Sequence, residues 1–443
     1  MRNVKARSFT LLFLFITIAC YVMYILARHE SVQLVASFGA LFLLYGWIIQ
    51  KETNIKFWLT GSVIIRVSLL VALPNLSDDF YRFIWDGRLW AAGQHPFAAL
   101  PLDVLSQNIS GLDAPLFEKL NSKEYFTIYP PVAQFIFWLS VYIEPVEISS
   151  SVVVMRILVL LAESGSIILI VKLLDHYKLP RRNVLLYALN PLVILELTGN
   201  LHFEAFVIFF LLFSVWLWSS DKIAISAVSF AFAIGVKLLP VIFLPLLLGV
   251  LGWRKAIVFY SITSLTCIIL FIPLYDQRVL EGFSQSLNLY FQKFEFNASL
   301  YYLIREYGFW KVGYNTIQTT GWKLGVVSGI LILAFSYLQG MSRGRSGVDK
   351  LSTGFLFVLL IYFSLSTIVH PWYVTSLLAF LVFTHFRFAV LWTALIFLSY
   401  VGYSQTGFSE NHLITAFEYV AVFGYLGYEL LWKEKESVLQ QRS

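Results

Sequence analysis

Two adjacent carboxylates, Asp78 and Asp79, open the run Ser77-Asp78-Asp79-Phe80-Tyr81-Arg82-Phe83-Ile84-Trp85-Asp86-Gly87-Arg88. A carboxylate can take a proton from a reacting hydroxyl, and guanidiniums can hold an anion as negative charge develops on it. Arg82 and Arg88 are therefore candidate substrate contacts, and Trp85 is a candidate aromatic face beside them. At a helix start, neighbouring side chains point about 100° apart. Only one of the two carboxylates can then act as the base, while the other orients it or pairs with Arg82 or Arg88. Asp78 is our choice for the base. The competing reading is a helix cap, since Ser77 or Asp78 could satisfy free amides at a helix start. Capping accounts for one acidic residue and leaves the second acid and the two arginines without a role.

The elements that must position this run are membrane helices. The chain has 443 residues, of which 58% are hydrophobic and 13% charged, with a mean hydropathy of +0.74. Soluble domains carry about 25% charged residues. Charges at the bilayer centre cost roughly 2.5 to 3.5 kcal/mol each on insertion scales, so the charged run belongs at the water interface, where lipid headgroup and water meet. Lys and Arg number 32 against 26 acidic residues, and the excess falls in short loops, which reports topology rather than nucleic-acid binding. Cys20 and Cys267 lie in apolar stretches and form no disulfide or metal-binding pattern.

Apolar segments recur along nearly the whole chain, which predicts an all-α, polytopic membrane bundle of roughly 12–14 helices, with 1–443 forming a single integral domain. The first, 9–26, follows Arg2, Lys5 and Arg7 but ends without a small-residue cleavage pattern, so it is read as a retained transmembrane helix. The basic segments at the N-terminus and at 51–56, 178–182, 222, 254–255, 343–350, 387 and 433–435 all fit the cytoplasmic side. The acidic loop 75–127 and a second loop, 275–315, are then outside. Segment 129–143, which opens with Tyr129-Pro130-Pro131, would force the 178–182 cluster outward if it crossed. It is expected to be interfacial or re-entrant. The outward side then also collects the segment from Glu196 to Glu204, Lys237, and His370-Pro371-Trp372-Tyr373.

Each of these groups has two readings. Lys237 ends an apolar helix where its ammonium could meet a phosphate, or it could simply snorkel. His202 and Glu204 flank a turn between spans as substrate contacts or as a satisfied interfacial pair. His370, Trp372 and Tyr373 could bind phosphate and stack on a sugar, or belong to an ordinary aromatic belt. Arg66, Arg156 and Glu163 fall inside spans, where pairing with each other or with backbone is the simpler reading.

The acidic run, followed by Ala91-Ala92-Gly93-Gln94-His95-Pro96-Phe97, resembles the first outer loop of bacterial GT-C mannosyltransferases that use polyprenyl-phosphate mannose. Tyr129-Pro130-Pro131-Val132-Ala133-Gln134, Asn190-Pro191-Leu192-Val193-Ile194-Leu195-Glu196, Lys237-Leu238-Leu239-Pro240 and His370-Pro371-Trp372-Tyr373 extend the resemblance in order over about residues 57–385. Glu204 departs from it, standing where the family pattern often has Asp. The resemblance implies a GT-C fold and a base supplied by the first acidic loop. It also implies transfer of a hexose, most readily mannose, from a polyprenyl-phosphate donor to a glycan or lipid-linked acceptor outside the bacterial inner membrane, with inversion at the anomeric carbon.

A divalent ion on Asp78 and Asp79 is conceivable chemically, but one phosphate can be neutralised by Lys and Arg alone, so no metal or other cofactor is expected. The absence of a glycine-rich phosphate loop and of a long cytoplasmic segment argues for a lipid-linked donor over a nucleotide sugar. The alternative class is a lipid or solute transporter. It predicts internal repeats and midplane charges, whereas no repeat is visible and the densest charge lies in a loop.

Overall fold

The computed structural model describes residues 2–275, 282, 294–341 and 348–433. The chain is a polytopic all-α helical bundle, and among the described residues its strands are confined to one short hairpin, β1 (Tyr403–Ser404) with β2 (Gly407–Phe408). The expected spans fall into two classes. Among the described residues six helices are long and apolar enough to cross a bilayer: Ala6–Tyr24, Ser31–Lys51, Ile148–His176, Trp253–Leu274, Ile317–Met341 and Val348–Leu365. Others are shorter, among them Ile223–Val236, Leu239–Leu251, Pro371–Leu381 and Phe388–Gly402. Prolines explain part of this, since Pro240 and Pro245 lie inside the 239–251 segment and Pro371 opens its helix. Stretches that read as continuous hydropathy are broken where the backbone lines polar groups.

The ends of the bundle differ in chemistry. At the N-terminal end Arg7 bonds Glu52 at 2.6 Å, and Arg182 donates to the carbonyl of Ile49. There too Asn183 holds the carbonyl of Val382, and the Glu429 carboxylate accepts the amides of Arg387 and Phe388. At the other end Arg28 meets Asp78, Leu76 donates its amide to Asn200, and Phe296 pairs with Ile368. The helix Ile148–His176 runs from this Asp78 end, where Ser151 bonds Glu144, to the basic end at Arg181. The preceding helix, Pro131–Ile143, therefore starts and finishes at the Asp78 end.

That short helix packs flat against Asp79–Ala91. Gly87 permits the contact, because a Cβ there would lie 2.5 Å from the Phe137 carbonyl oxygen. Arg66 and Glu163, both fully buried, form a two-pronged ion pair at 2.9 and 3.1 Å, and Glu163 also accepts the Thr198 hydroxyl. Arg156 caps the carbonyls of Leu70, Thr198 and Gly199 at 2.8–2.9 Å. These charges inside the spans thus serve the structure, as their sequence positions suggest. Glu163→Ala should cost on the order of 3–5 kcal/mol, because it strands a buried guanidinium. Thermal unfolding in detergent checks this; an unchanged midpoint would remove the pair from the framework.

Candidate active site

Ser77 and the two carboxylates stand at the first turn of Asp79–Ala91. Asp78 occupies the N-cap position, yet its side chain makes no capping bond. It instead bonds Arg28 at 2.5 Å, with both side chains about one-third exposed. Arg28 also lies over the Tyr403 ring, 4.9 Å from its centroid. Asp79 accepts from Asn121 at 2.7 Å. The expected pairing of these acids with Arg82 or Arg88 is corrected. Arg82 is buried and spends its donors on Asp86, Ser122 and the carbonyl of Tyr125. Arg88 holds the carbonyls of Gly111 and Val146. Both staple the loop to itself, since carbonyls of a long loop at a bilayer surface must find donors. Trp85 is corrected likewise: it is buried and packs toward Phe117 inside the loop.

The second wall is a broken helix. Val193–Gly199 and Glu204–Ser219 meet at 107°, and Leu201 between them holds φ +61°. A non-glycine residue in the left-handed region costs free energy and persists only where its surroundings enforce it. Here Arg156 enforces it from below, and Asn200 does so by bonding Leu76. The turn places His202 and Glu204, both buried, on the polar side. Lys237 ends Ile223–Val236 and reaches Glu204, while its ammonium sits 3.9 Å from the Tyr373 ring centroid. Lys237 and Glu204 thus meet each other rather than snorkelling apart.

The third wall is His370 with Pro371–Leu381. The imidazoles of His202 and His370 both stack on the Trp372 indole, at 3.7 and 4.3 Å between centroids. Burial, with help from the ammonium of Lys237 and from His202, pulls His370 down to about 3. At neutral pH it therefore carries no charge, and it can offer a phosphate only one neutral N–H.

Residues outside the sequence-derived set close these walls into one circuit. Tyr129, half-buried and held well above the usual tyrosine range chiefly by desolvation, feels the fields of both Asp79 and Glu204. On the far side Glu196 lies 3.4 Å from His202 and accepts the Tyr400 hydroxyl at 2.7 Å. Tyr403, raised to about 12 by burial first, is next to Arg28 and near Asp78, Asp79 and Glu196. Among the described residues His202 Nε2 makes no hydrogen bond, and the Glu196 carboxylate at 3.4 Å is the acceptor that faces it. Arg28 was detectable in principle as a charge at the end of the first span. Tyr403 carried no signal beyond being one aromatic among many. Of the second loop, 276–281 and 283–293 lie outside the described residues, so most of that expected contribution does too. Among the described residues, no group of three or more His, Cys, Asp or Glu side chains is arranged to hold a metal ion.

Residues 17–253 match the family described as alpha-(1->6)-mannopyranosyltransferase, N-terminal domain. No curated protein matches the chain. The matched stretch carries Asp78, Asp79, His202, Glu204 and Lys237, and ends before His370. Since it spans more than half of the 443 residues, this chain belongs to the alpha-(1->6)-mannopyranosyltransferase family, and it is a multi-pass membrane glycosyltransferase of GT-C type.

Proposed function

We propose that this mannosyltransferase takes mannose from a polyprenyl-phosphate donor and transfers it, with inversion, to a glycan or lipid-linked acceptor at the outward face of a bacterial inner membrane. The observation that carries the reading is the polar circuit at the Asp78 end, with the proposed base and the Lys237 ammonium at separate points on it. Asp78 accepts the acceptor hydroxyl proton as that oxygen bonds the anomeric carbon, and the bond from this carbon to the donor phosphate oxygen breaks. Lys237 neutralises the departing phosphate. An ammonium has three donors, and Glu204 takes one of them. A single displacement with one base inverts the sugar centre. Trp372, stacked against the imidazoles of His202 and His370, fixes both beside Lys237, and the neutral His370 offers an N–H.

The donor assignment rests on the interfacial position of the circuit, which a lipid-borne phosphate can reach from the bilayer. The outward orientation rests on the basic segments clustered at the opposite end. No metal is required in this scheme, and the whole chain is read as one integral domain. Purified protein should move label from radiolabelled polyprenyl-phosphate mannose to members of an acceptor panel. Turnover of a nucleotide-activated mannose without any lipid donor would overturn the donor assignment. In intact cells, a membrane-impermeant thiol reagent should modify a cysteine placed at Ser106; protection there with labelling only after lysis would reverse the orientation.

A further inference from the structure

We propose that the helix Leu300–Val312 lies in the lipid headgroup layer and docks the Asp78 end of the protein onto the membrane surface. Its polarity is the reverse of a helix that faces water. The side turned into the protein carries Tyr301, Tyr302, Arg305 and Gly308, all buried. It is polar: Tyr301 donates to Glu295 at 2.7 Å, Tyr302 donates to Glu410, and Arg305 reaches Glu295 and His412 at 3.0 Å. The side turned out carries Leu303, Tyr307 and Trp310, which are 70%, 53% and 82% exposed and follow one another at helical spacing. An aqueous helix buries its apolar stripe and shows its polar one. This arrangement is stable only if the outward stripe meets apolar material.

Lipid is the occupant the surroundings favour. The long helix that follows and packs against this one, Ile317–Met341, has only 22% of its apolar stretch buried, so it presents most of its length to the bilayer. The stripe continues that surface at its edge. Tyr314 and Trp322 are exposed on the adjoining segment, and aromatic rings of this kind concentrate where acyl chains meet headgroups. Glu306 and Lys311, both exposed, flank the stripe where headgroups and water would be.

The seating also has a route to the candidate active site. Just before the helix, Phe296 donates its amide to Thr367 and accepts that of Val369, and its ring lies 4.7 Å from that of His370. The depth of the helix in the headgroup layer would therefore help set the position of His370.

The test uses full-length protein with Cys20 and Cys267 replaced by Ala, an environment-sensitive fluorophore on Leu303→Cys or Trp310→Cys, and nanodiscs containing acyl-brominated phosphatidylcholine. Tyr307→Cys serves where either labelled variant fails to fold. Quenching by lipids brominated near the headgroup, with at least a several-fold lower quenching by aqueous iodide than for a label at Glu306→Cys, is the expected result. Full access to iodide without lipid quenching would overturn the proposal. So would protection from both quenchers, which would place protein rather than lipid on the stripe.

Discussion

Asp78→Asn is expected to reduce mannosyl transfer by on the order of 10² to 10⁴ while leaving donor affinity nearly unchanged, because a general base contributes in that range. The acceptor hydroxyl must lose its proton as its oxygen bonds the anomeric carbon, and Asn keeps the shape of Asp without the capacity to take it. Folding should survive. Asp78 makes no capping bond, and its partner Arg28 is partly exposed and also rests on Tyr403; exposed ion pairs contribute about 0–1 kcal/mol. Arg28→Gln is a companion variant. It leaves the carboxylate in place but frees it to rotate, so a loss smaller than that of Asp78→Asn is expected. Steady-state rates at saturating donor, with donor binding measured separately, decide the matter. If Asp79→Asn is dead and Asp78→Asn active, the base lies one residue on. Activity in both variants would remove the acidic loop from the chemistry.

Removing the Lys237 ammonium should lower turnover by about 10² to 10³, the range for deleting one donor that stabilises developing negative charge. The direct substitution is confounded, however. Glu204 is buried, and Lys237 is its cation. Lys237→Met alone would strand that carboxylate, a strongly destabilising change. The double variant Lys237→Met with Glu204→Gln leaves neither charge behind and isolates the phosphate role. It should fold, as judged by a monodisperse detergent complex with a melting point close to the parent, and still fail to turn over. Glu204→Gln alone, which retains the ammonium, should keep far more activity than the double variant. Equal activity in the double variant and the parent would return Lys237 to a purely structural role.

What the sequence determined by itself is what the bilayer enforces locally. Hydrocarbon demands internally bonded, apolar helices and excludes charge, so composition announced the membrane class, and the basic segments distinguished one end of the bundle from the other. The same rule led to the expectation that 129–143 does not cross, where the structure has a helix of only 13 residues, and it marked Arg66, Arg156 and Glu163 as charges needing partners, which they have in each other and in backbone carbonyls. Motif order was enough to suggest the family.

Only the tertiary structure decided who meets whom. Arg82 and Arg88 lie nearest the acidic pair in sequence, yet the loop's own carbonyls claim them, while Asp78 finds Arg28 in the turn that follows the first helix, fifty residues earlier. Glu204 and Lys237 come together across 33 residues because a helix breaks at 107° and its neighbour ends at the same depth. Tyr403 joins from a hairpin far along the chain. A charge takes its partner from whatever groups the fold places within a few ångströms, and spacing along the chain carries little of that information once helices bend, shorten or stop inside the bundle.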